Sequence, residues 1–223
     1  MPVRERPIVA IDGPAGAGKS TVARRVADAL GFVLLDTGAL YRAVALAAQR
    51  GKVSVNDGAR SGALAEDLAR RGAIVLEPDR VTLDGEDVSR AIRTPEVGMD
   101  ASTVSAHSAV RKALLDMQRR AGERGGVVAE GRDIGTVVFP DAEYKFFLTA
   151  SPEERARRRH EELLAKGSAV TLEATLEEVK RRDAQDEGRV VAPLKPAADA
   201  MMLDSSKMSI DEVVARVLDR VRR

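Results

Sequence analysis

The sequence has no cysteine and no tryptophan, only two histidines, and an aromatic fraction of 3%. Without cysteine there is no disulfide frame, no thiolate zinc site and no thiol nucleophile, which agrees with a reducing compartment. No apolar run approaches the length of a membrane span. The opening Met1-Pro2-Val3-Arg4-Glu5-Arg6 is charged and leads straight into an apolar stretch, unlike a signal peptide. Excess charge of one sign is also missing: 36 basic side chains stand against 35 acidic ones, a net of +1. Nothing therefore points to a bulk polyanion partner such as nucleic acid or an anionic membrane. Repeats and low-complexity segments are absent. What remains reads as a cytoplasmic globular protein of 223 residues, 44% hydrophobic, enough for one α/β domain with small insertions.

The most informative stretch lies near the start. Ile8-Val9-Ala10-Ile11 reads as a buried parallel strand. A glycine-rich turn follows, and then Val22, Val26 and Leu30 mark one face of a helix that ends at Gly31. Gly13-Pro14-Ala15-Gly16-Ala17-Gly18-Lys19-Ser20 fits the phosphate-binding loop pattern G-x-x-x-x-G-K-[ST], with Thr21 next in the helix. Gly16 and Gly18 let backbone N–H groups turn inward around phosphate oxygens. The helix N-terminus behind them adds partial positive charge. Lys19 is placed for the β- and γ-phosphates of a nucleotide, and the Ser20 hydroxyl for Mg²⁺.

Further along, Phe32-Val33-Leu34-Leu35 reads as a second strand ending in Asp36-Thr37-Gly38. An alanine-rich helix then runs to Gly51, and another spans 57 to 71. Ala73 to Leu76 and Arg80 to Leu83 predict a small hairpin turning at Pro78-Asp79, an antiparallel insertion in an otherwise parallel chain. Residues 95 to 121 read as helix in two pieces that meet near His107-Ser108. Val127-Val128-Ala129 forms a third strand ending in Glu130-Gly131-Arg132-Asp133, and Tyr144 to Thr149 a fourth. Ser151-Pro152-Glu153-Glu154 has the form of a capping box, opening an arginine-rich helix to Gly167. Thr171 caps the next helix. Ala200 to Asp204 is the fifth strand, and Ser209-Ile210-Asp211-Glu212 is a second capping box before the final helix. The expected architecture is an α/β three-layer fold, with a five-stranded parallel sheet between helices and right-handed crossovers. In such sheets ligands bind at the carboxyl ends of the strands, where Asp12-Gly13, Asp36-Thr37 and Glu130 to Asp133 fall.

A phosphate loop alone does not separate a kinase from a signalling GTPase or a motor. No Asn-Lys-x-Asp guanine reader is present, and the chain is short for a motor. Arginines stand out instead, suited to holding a second phosphate and to neutralising charge in phosphoryl transfer. If the acceptor is itself a phosphate, its second pKa near 6 leaves the nucleophilic oxygen ionised and no general base is needed. His107, in a helix break, and His160, among charges, accordingly read as surface residues.

Taken together, Ile11 to Thr21, Asp36-Thr37-Gly38-Ala39-Leu40-Tyr41-Arg42, Gly85-Glu86-Asp87-Val88, Ile92 to Val97, Gly131 to Pro140, Arg182-Asp183, Val191 to Leu194 and Leu203-Asp204-Ser205 resemble the bacterial cytidylate kinases over nearly the whole chain. The resemblance implies the nucleoside monophosphate kinase fold, with a core at 1–37, 108–150 and 190–223, a monophosphate-binding insertion at 38–107 and a helical lid at 151–189. It implies transfer of the γ-phosphate of ATP to CMP or dCMP with Mg²⁺, by a monomer. Carried across, Thr37, Arg42 and Arg132 hold the acceptor phosphate, with Tyr41 in the same stretch. Ser102, Arg111 and Asp133 read the cytosine ring. Arg182 and Asp186 contact the sugar, with Arg189 supporting that end. Arg155, Arg158 and Arg159 belong to the lid near ATP, and Lys19, Arg132 and Arg158 are the catalytic cations.

The chemistry of these positions is consistent with that reading. Cytosine offers an amino donor and acceptors at N3 and O2, so a carboxylate, a hydroxyl and an arginine complement it. Uracil would set a carbonyl against Asp133, a polar mismatch that discriminates strongly. Thr37 keeps the hydroxyl where some members have serine, Glu130 stands where many have aspartate, and Ser20 replaces the glycine of some members. Two alternatives stay open on the residues alone. One is a small kinase for UMP, dTMP or an alcohol; the other is a nucleotide sensor without transferase activity. Arg155 to Arg159 also fit a solvated helix face, and Arg182 with Asp186 a surface pair one helical turn apart.

Overall fold

The computed structural model describes residues 4–77, 80–165 and 167–222. They divide into two compact units: the chain up to Phe32 together with everything from Gly126 onward, and Val33–Gly125.

In the first unit, the apolar run predicted to be a buried strand is β1, Ile8–Asp12, buried along its whole length. It precedes α1, Lys19–Leu30, which Gly31 ends in the left-handed conformation. After Gly126 come β6 (Val127–Gly131), β7 (Tyr144–Thr149), α6 (Pro152–Ala165), α7 (Leu172–Glu187), β8 (Met201–Asp204) and α8 (Ile210–Val221). Strands β6, β1, β7 and β8 run parallel to their neighbours. With β2 (Val33–Asp36), the large sheet has five strands in the order β2-β6-β1-β7-β8. The valine face of α1 packs against β1 and β6, and α8 lies against α1. The Ser209 capping box forms as expected, with the hydroxyl accepting from Glu212 N and the Glu212 carboxylate accepting from Ser209 N.

At Ser151 only half of the expected box exists. The Ser151 hydroxyl accepts from Glu154 N at 3.2 Å, but Ser151 N donates to Ser206 Oγ at 2.9 Å. The Glu154 carboxylate takes Arg157 and Arg158 instead. Two guanidiniums are stronger partners for a carboxylate than one backbone N–H.

The second unit continues from β2 into α2 (Thr37–Arg50) and α3 (Gly58–Arg70). A small antiparallel sheet follows, with β3 (Ile74–Leu76), β4 (Val81–Leu83) and β5 (Glu86–Asp87) in that order. The hairpin is as predicted, although its turn residues Pro78 and Asp79 lie outside the described residues. The third strand, two residues long and charged, carries no periodic signal. Then come α4 (Pro95–Ala106) and α5 (Ser108–Ala121), broken at His107 as expected. Alanines 39, 43, 45 and 65 with Leu40, Val44, Leu68, Ile92, Val104 and Leu114 form the core of this unit. Small residues on α2 let its neighbours approach closely.

The two histidines are not surface residues. His107 is half-buried, and its Nε2 hydrogen-bonds the Val55 carbonyl at 2.8 Å, tying the α4–α5 break to the segment before α3. His160 is half-buried on α6.

One glycine shows how tightly the central strands close around the loop. Gly13 has φ +148, and a Cβ there would overlap the Leu148 carbonyl oxygen of β7. Gly13→Ala is therefore expected to destabilise the protein by about 3 kcal/mol, combining backbone strain with overpacking. A denaturant midpoint within experimental error of wild type would show that β1 and β7 can separate there.

Candidate active site

The loop between β1 and α1 has the conformation expected for a phosphate cradle. Gly16 and Gly18 have φ of +75 and +94, and α1 starts at Lys19, so the N–H groups of its first turn are not used within the helix. Lys19 is buried, and its ammonium donates to the Pro14 carbonyl at 2.7 Å. Burial lowers its pKa to about 7; Arg132 and Arg182 push the same way, and Glu130 and Asp186 oppose them. A lysine in that state is stabilised by an incoming polyanion.

Beside this loop stands the end of β6. The parallel register sets Asp12 opposite Gly131, so Arg132 and Asp133 leave the sheet next to the point where the phosphate loop begins. The chain then makes one wide turn of π-helix, Ile134–Val138, closed by the Asp133 carbonyl accepting from Val137 and Val138 N. Asp12 anchors that turn. Its carboxylate accepts from Ile134 N and from Gly135 N, each at 2.8 Å. Burial raises the Asp12 pKa to about 6 despite both bonds.

Arg132 is held by α7. Its Nε donates to Asp186 at 2.8 Å, and Asp186, buried, also pairs with Arg189. Burial alone would raise the Asp186 pKa, but Arg132, Arg189 and Arg182 outweigh it and keep the carboxyl below its usual range. Asp186 is thus no surface partner of Arg182.

The arginine run on α6 splits by face. Arg157, exposed, pairs with Glu154 and Glu161, while Arg159, half-buried one turn after Arg155, pairs with Glu162. Arg155 and Arg158, three apart on the opposite face, turn inward. Arg155 is 3% exposed and forks onto Asp183 of α7, with Nη1 to Oδ1 at 2.9 Å and Nη2 to Oδ2 at 2.6 Å. Arg158 donates to Glu154 and to the Ser205 carbonyl and hydroxyl.

In the second unit, Asp36 caps α2 by accepting from Ala39 N at 3.0 Å and also takes Arg93 Nη2 at 3.0 Å. Thr37 is buried at the first position of that helix, and Tyr41 and Arg42 follow one turn on. Arg42 donates to the Ile92 carbonyl at 3.0 Å and lies over Gly98 of α4, where any Cβ would come within 3.1 Å of its guanidinium. The Arg111 guanidinium stacks over the Tyr41 ring at 5.5 Å and donates to the Ser105 carbonyl at 3.3 Å. Ser102, buried one turn before Ser105, accepts from the Ser105 hydroxyl through its carbonyl at 2.9 Å.

The site residues expected from the sequence therefore fall into two groups. The loop, Lys19, Arg132, Asp133, Arg155, Arg158, Arg182, Asp186 and Arg189 belong to the first unit, while Thr37, Tyr41, Arg42, Ser102 and Arg111 belong to the second. Arg159, half-buried on α6 of the first unit, pairs with Glu162. Sequence reasoning missed Asp12, Asp183 and Ser205 as supports. Each sits within a quoted motif, but what marks them is a partner far along the chain.

A phosphate loop at the end of a central parallel strand, flanked by arginines locked onto the carboxylates of Asp183 and Asp186, defines a phosphotransferase of the phosphate-loop kinase class. A family model for cytidylate kinase matches residues 9–223, and the chain belongs to the cytidylate kinase family. A cytidylate kinase from Geobacter sp. (strain M21) is 56% identical, over 93% of this chain and 89% of that protein. One from Syntrophotalea carbinolica is 53% identical, over 96% and 91%. The fold alone is shared with a solved structure of an uncharacterized protein from Eubacterium ventriosum ATCC 27560, at a TM-score of 0.54 and 13% identity, covering 97% of this chain and 99% of that one.

The Asp12 anchor has a pH signature. A buried carboxyl with a raised pKa favours the folded state below about pH 4, and that contribution is lost as pH rises through about 6. Asp12→Asn keeps one acceptor and carries no charge to bury. The stability difference, wild type minus Asp12→Asn, is expected to fall by up to about 3 kcal/mol between pH 4 and 7 and then level off. Denaturant titrations at four pH values measure it; a difference that is flat with pH would mean that Asp12 titrates as an ordinary carboxyl.

Proposed function

We propose that this chain transfers the γ-phosphate of ATP to CMP or dCMP, giving ADP and CDP or dCDP. The observation that supports it most is the parallel Asp12–Gly131 register, which brings an arginine–aspartate pair to the edge of a phosphate loop within one unit. The loop amides and Lys19 take the donor phosphates. Ser20, exposed at the start of α1, offers a hard oxygen donor that suits Mg²⁺ bound mainly through nucleotide phosphates and water. When bound, that ion neutralises charge on the transferring phosphoryl group.

On the acceptor side, Thr37, Arg42 and Arg132 hold the monophosphate, with Tyr41 supporting Arg111 by stacking. Ser102, Arg111 and Asp133 read the base, and Arg182, Asp186 and Arg189 serve the sugar. The nucleophilic phosphate oxygen is already ionised at neutral pH, so these residues act by positioning, charge neutralisation and exclusion of water rather than by proton abstraction. Lys19, Arg132 and Arg158 are the cations that meet developing charge, and Arg155, Arg158 and Arg159 serve the donor end. Residues 38–107 then form the acceptor-binding insertion and 151–189 the lid on a core of 1–37, 108–150 and 190–223. A cytoplasmic monomer completes the reading.

The test is coupled ADP release with Mg²⁺-ATP and each of CMP, dCMP, UMP, AMP and dTMP, on wild type and Asp133→Ala. Fast turnover confined to CMP and dCMP in wild type is expected, with at least about a hundredfold loss for CMP in the variant. Equal use of UMP by wild type would move the base reader elsewhere, and no turnover with any acceptor would leave a nucleotide sensor.

A further inference from the structure

The phosphate loop is held by its carbonyl oxygens. Lys19 Nζ takes the Pro14 carbonyl at 2.7 Å and Arg155 Nη1 the Ala15 carbonyl at 3.1 Å, and the Ser205 hydroxyl shares its one proton between the Thr149 carbonyl at 3.0 Å and the Ala17 carbonyl at 3.3 Å. The two holders outside the loop are themselves fixed. Arg155 donates its Nε to the Ala150 carbonyl at 2.9 Å and forks onto Asp183, and Ser205 N donates to the Thr149 carbonyl at 2.8 Å while Arg158 grips the Ser205 carbonyl at 2.7 Å. The Cα of Gly16 faces Arg155, since a Cβ there would come within 3.2 Å of the Arg155 Cβ.

In a planar trans peptide the carbonyl and the following N–H point in opposite directions. Holding the Ala15 and Ala17 carbonyls back therefore aims the Gly16 and Gly18 N–H groups forward, the direction in which a cradle needs them.

We propose that Arg155 and Ser205 are positioning residues that set the phosphate loop through its carbonyls, with Asp183 and Arg158 holding them in place. The proposal rests on the reading that the loop binds the donor phosphates, and it gives Arg155 a task other than contact with ATP. The geometry favours it. Arg155 is buried and spends its donors on Ala150, Ala15 and a two-point pair with Asp183, and a bidentate pair fixes direction as well as distance.

The decisive residue is Asp183, which among the described residues reaches the loop through Arg155. Full-length wild type, Asp183→Asn, Arg155→Lys, the double variant and Ser205→Ala are titrated with Mg²⁺-ATP by calorimetry and assayed with ATP and CMP varied in turn. Asp183→Asn is expected to weaken ATP binding about tenfold, and Arg155→Lys by a similar factor because a lysine cannot fork. The double variant should be no worse than either single change, the KM for CMP should not move, and the Gly16 and Gly18 amide resonances should shift in the nucleotide-free protein.

If Arg155 were instead an ATP ligand held in reserve by Asp183, Asp183→Asn would release it and ATP would bind as tightly as in wild type or more tightly. That result overturns the proposal. Should Asp183→Asn lose its cooperative melting transition, Ser205→Ala decides: weaker ATP binding with an unchanged KM for CMP supports the positioning role, and unchanged ATP binding refutes it. Wild type that transfers nothing to CMP, alongside variants that still lose ATP affinity, would overturn the kinase reading and leave this inference standing.

Discussion

The pairing of β1 with β6 is what the donor end of this protein depends on. Because the strands run parallel with Asp12 opposite Gly131, both chains leave the sheet on the same side, one as a phosphate loop and the other as Arg132-Asp133. The Asp12 carboxylate then bridges the two exits by taking the backbone N–H groups of Ile134 and Gly135. Strand register, turn geometry and the placing of an arginine are thus one fact seen at three scales. A slip of one residue would turn each β1 side chain to the other face of the sheet and take Asp12 away from the N–H groups it holds.

A net charge of +1 conceals a strong sorting of charge. The outward face of α6 carries the Arg157 ion pairs in water, each of small consequence for stability. The inward pairs are different in kind. Asp183 and Asp186 lie three apart on α7 and receive Arg155 on one side and Arg132 with Arg189 on the other. Buried pairs of this sort add little to stability but are costly to break singly, because the survivor is left charged and unsolvated. Their use here is directional: they keep guanidinium planes at fixed angles beside the loop. Helix α7 therefore serves both the phosphate loop and the strand end next to it, although none of its residues belongs to either.

Much of the architecture was legible in the sequence because the signals were local. The apolar run before Gly13, the glycines of the loop, the break at His107 and the Ser209–Glu212 box each rest on residues within one turn of one another. The less legible parts depend on partners distant in sequence. Glu154 has the spacing of a capping residue, yet two arginines outcompete the backbone N–H it would have taken. The strand at Glu86–Asp87 has no apolar residue to betray it and exists because β4 presents an edge. The wide turn after Asp133 follows from the carboxylate of Asp12, more than a hundred residues earlier. For the site, residue types in their motifs pointed to phosphate chemistry, but they could not distinguish Arg155, turned inward onto Asp183, from Arg157 two positions on, turned to solvent.

The first unit is discontinuous in the chain, and this has a bearing on its synthesis. Strand β1 emerges early, but its sheet neighbours β6 and β7 follow only after the whole of Val33–Gly125 has been made. At typical elongation rates β1 waits on the order of ten seconds for a partner. The intervening unit is contiguous in the chain, so its contacts, chiefly those of α3 with α5 and of α2 with α4, can close before β6 has been made. The order of folding is then inverted relative to the order of the sequence. The inserted unit sets first, and the strand that carries the phosphate loop, although translated before it, remains an unpaired segment, apolar up to Asp12, with two bare edges until β6 and β7 arrive.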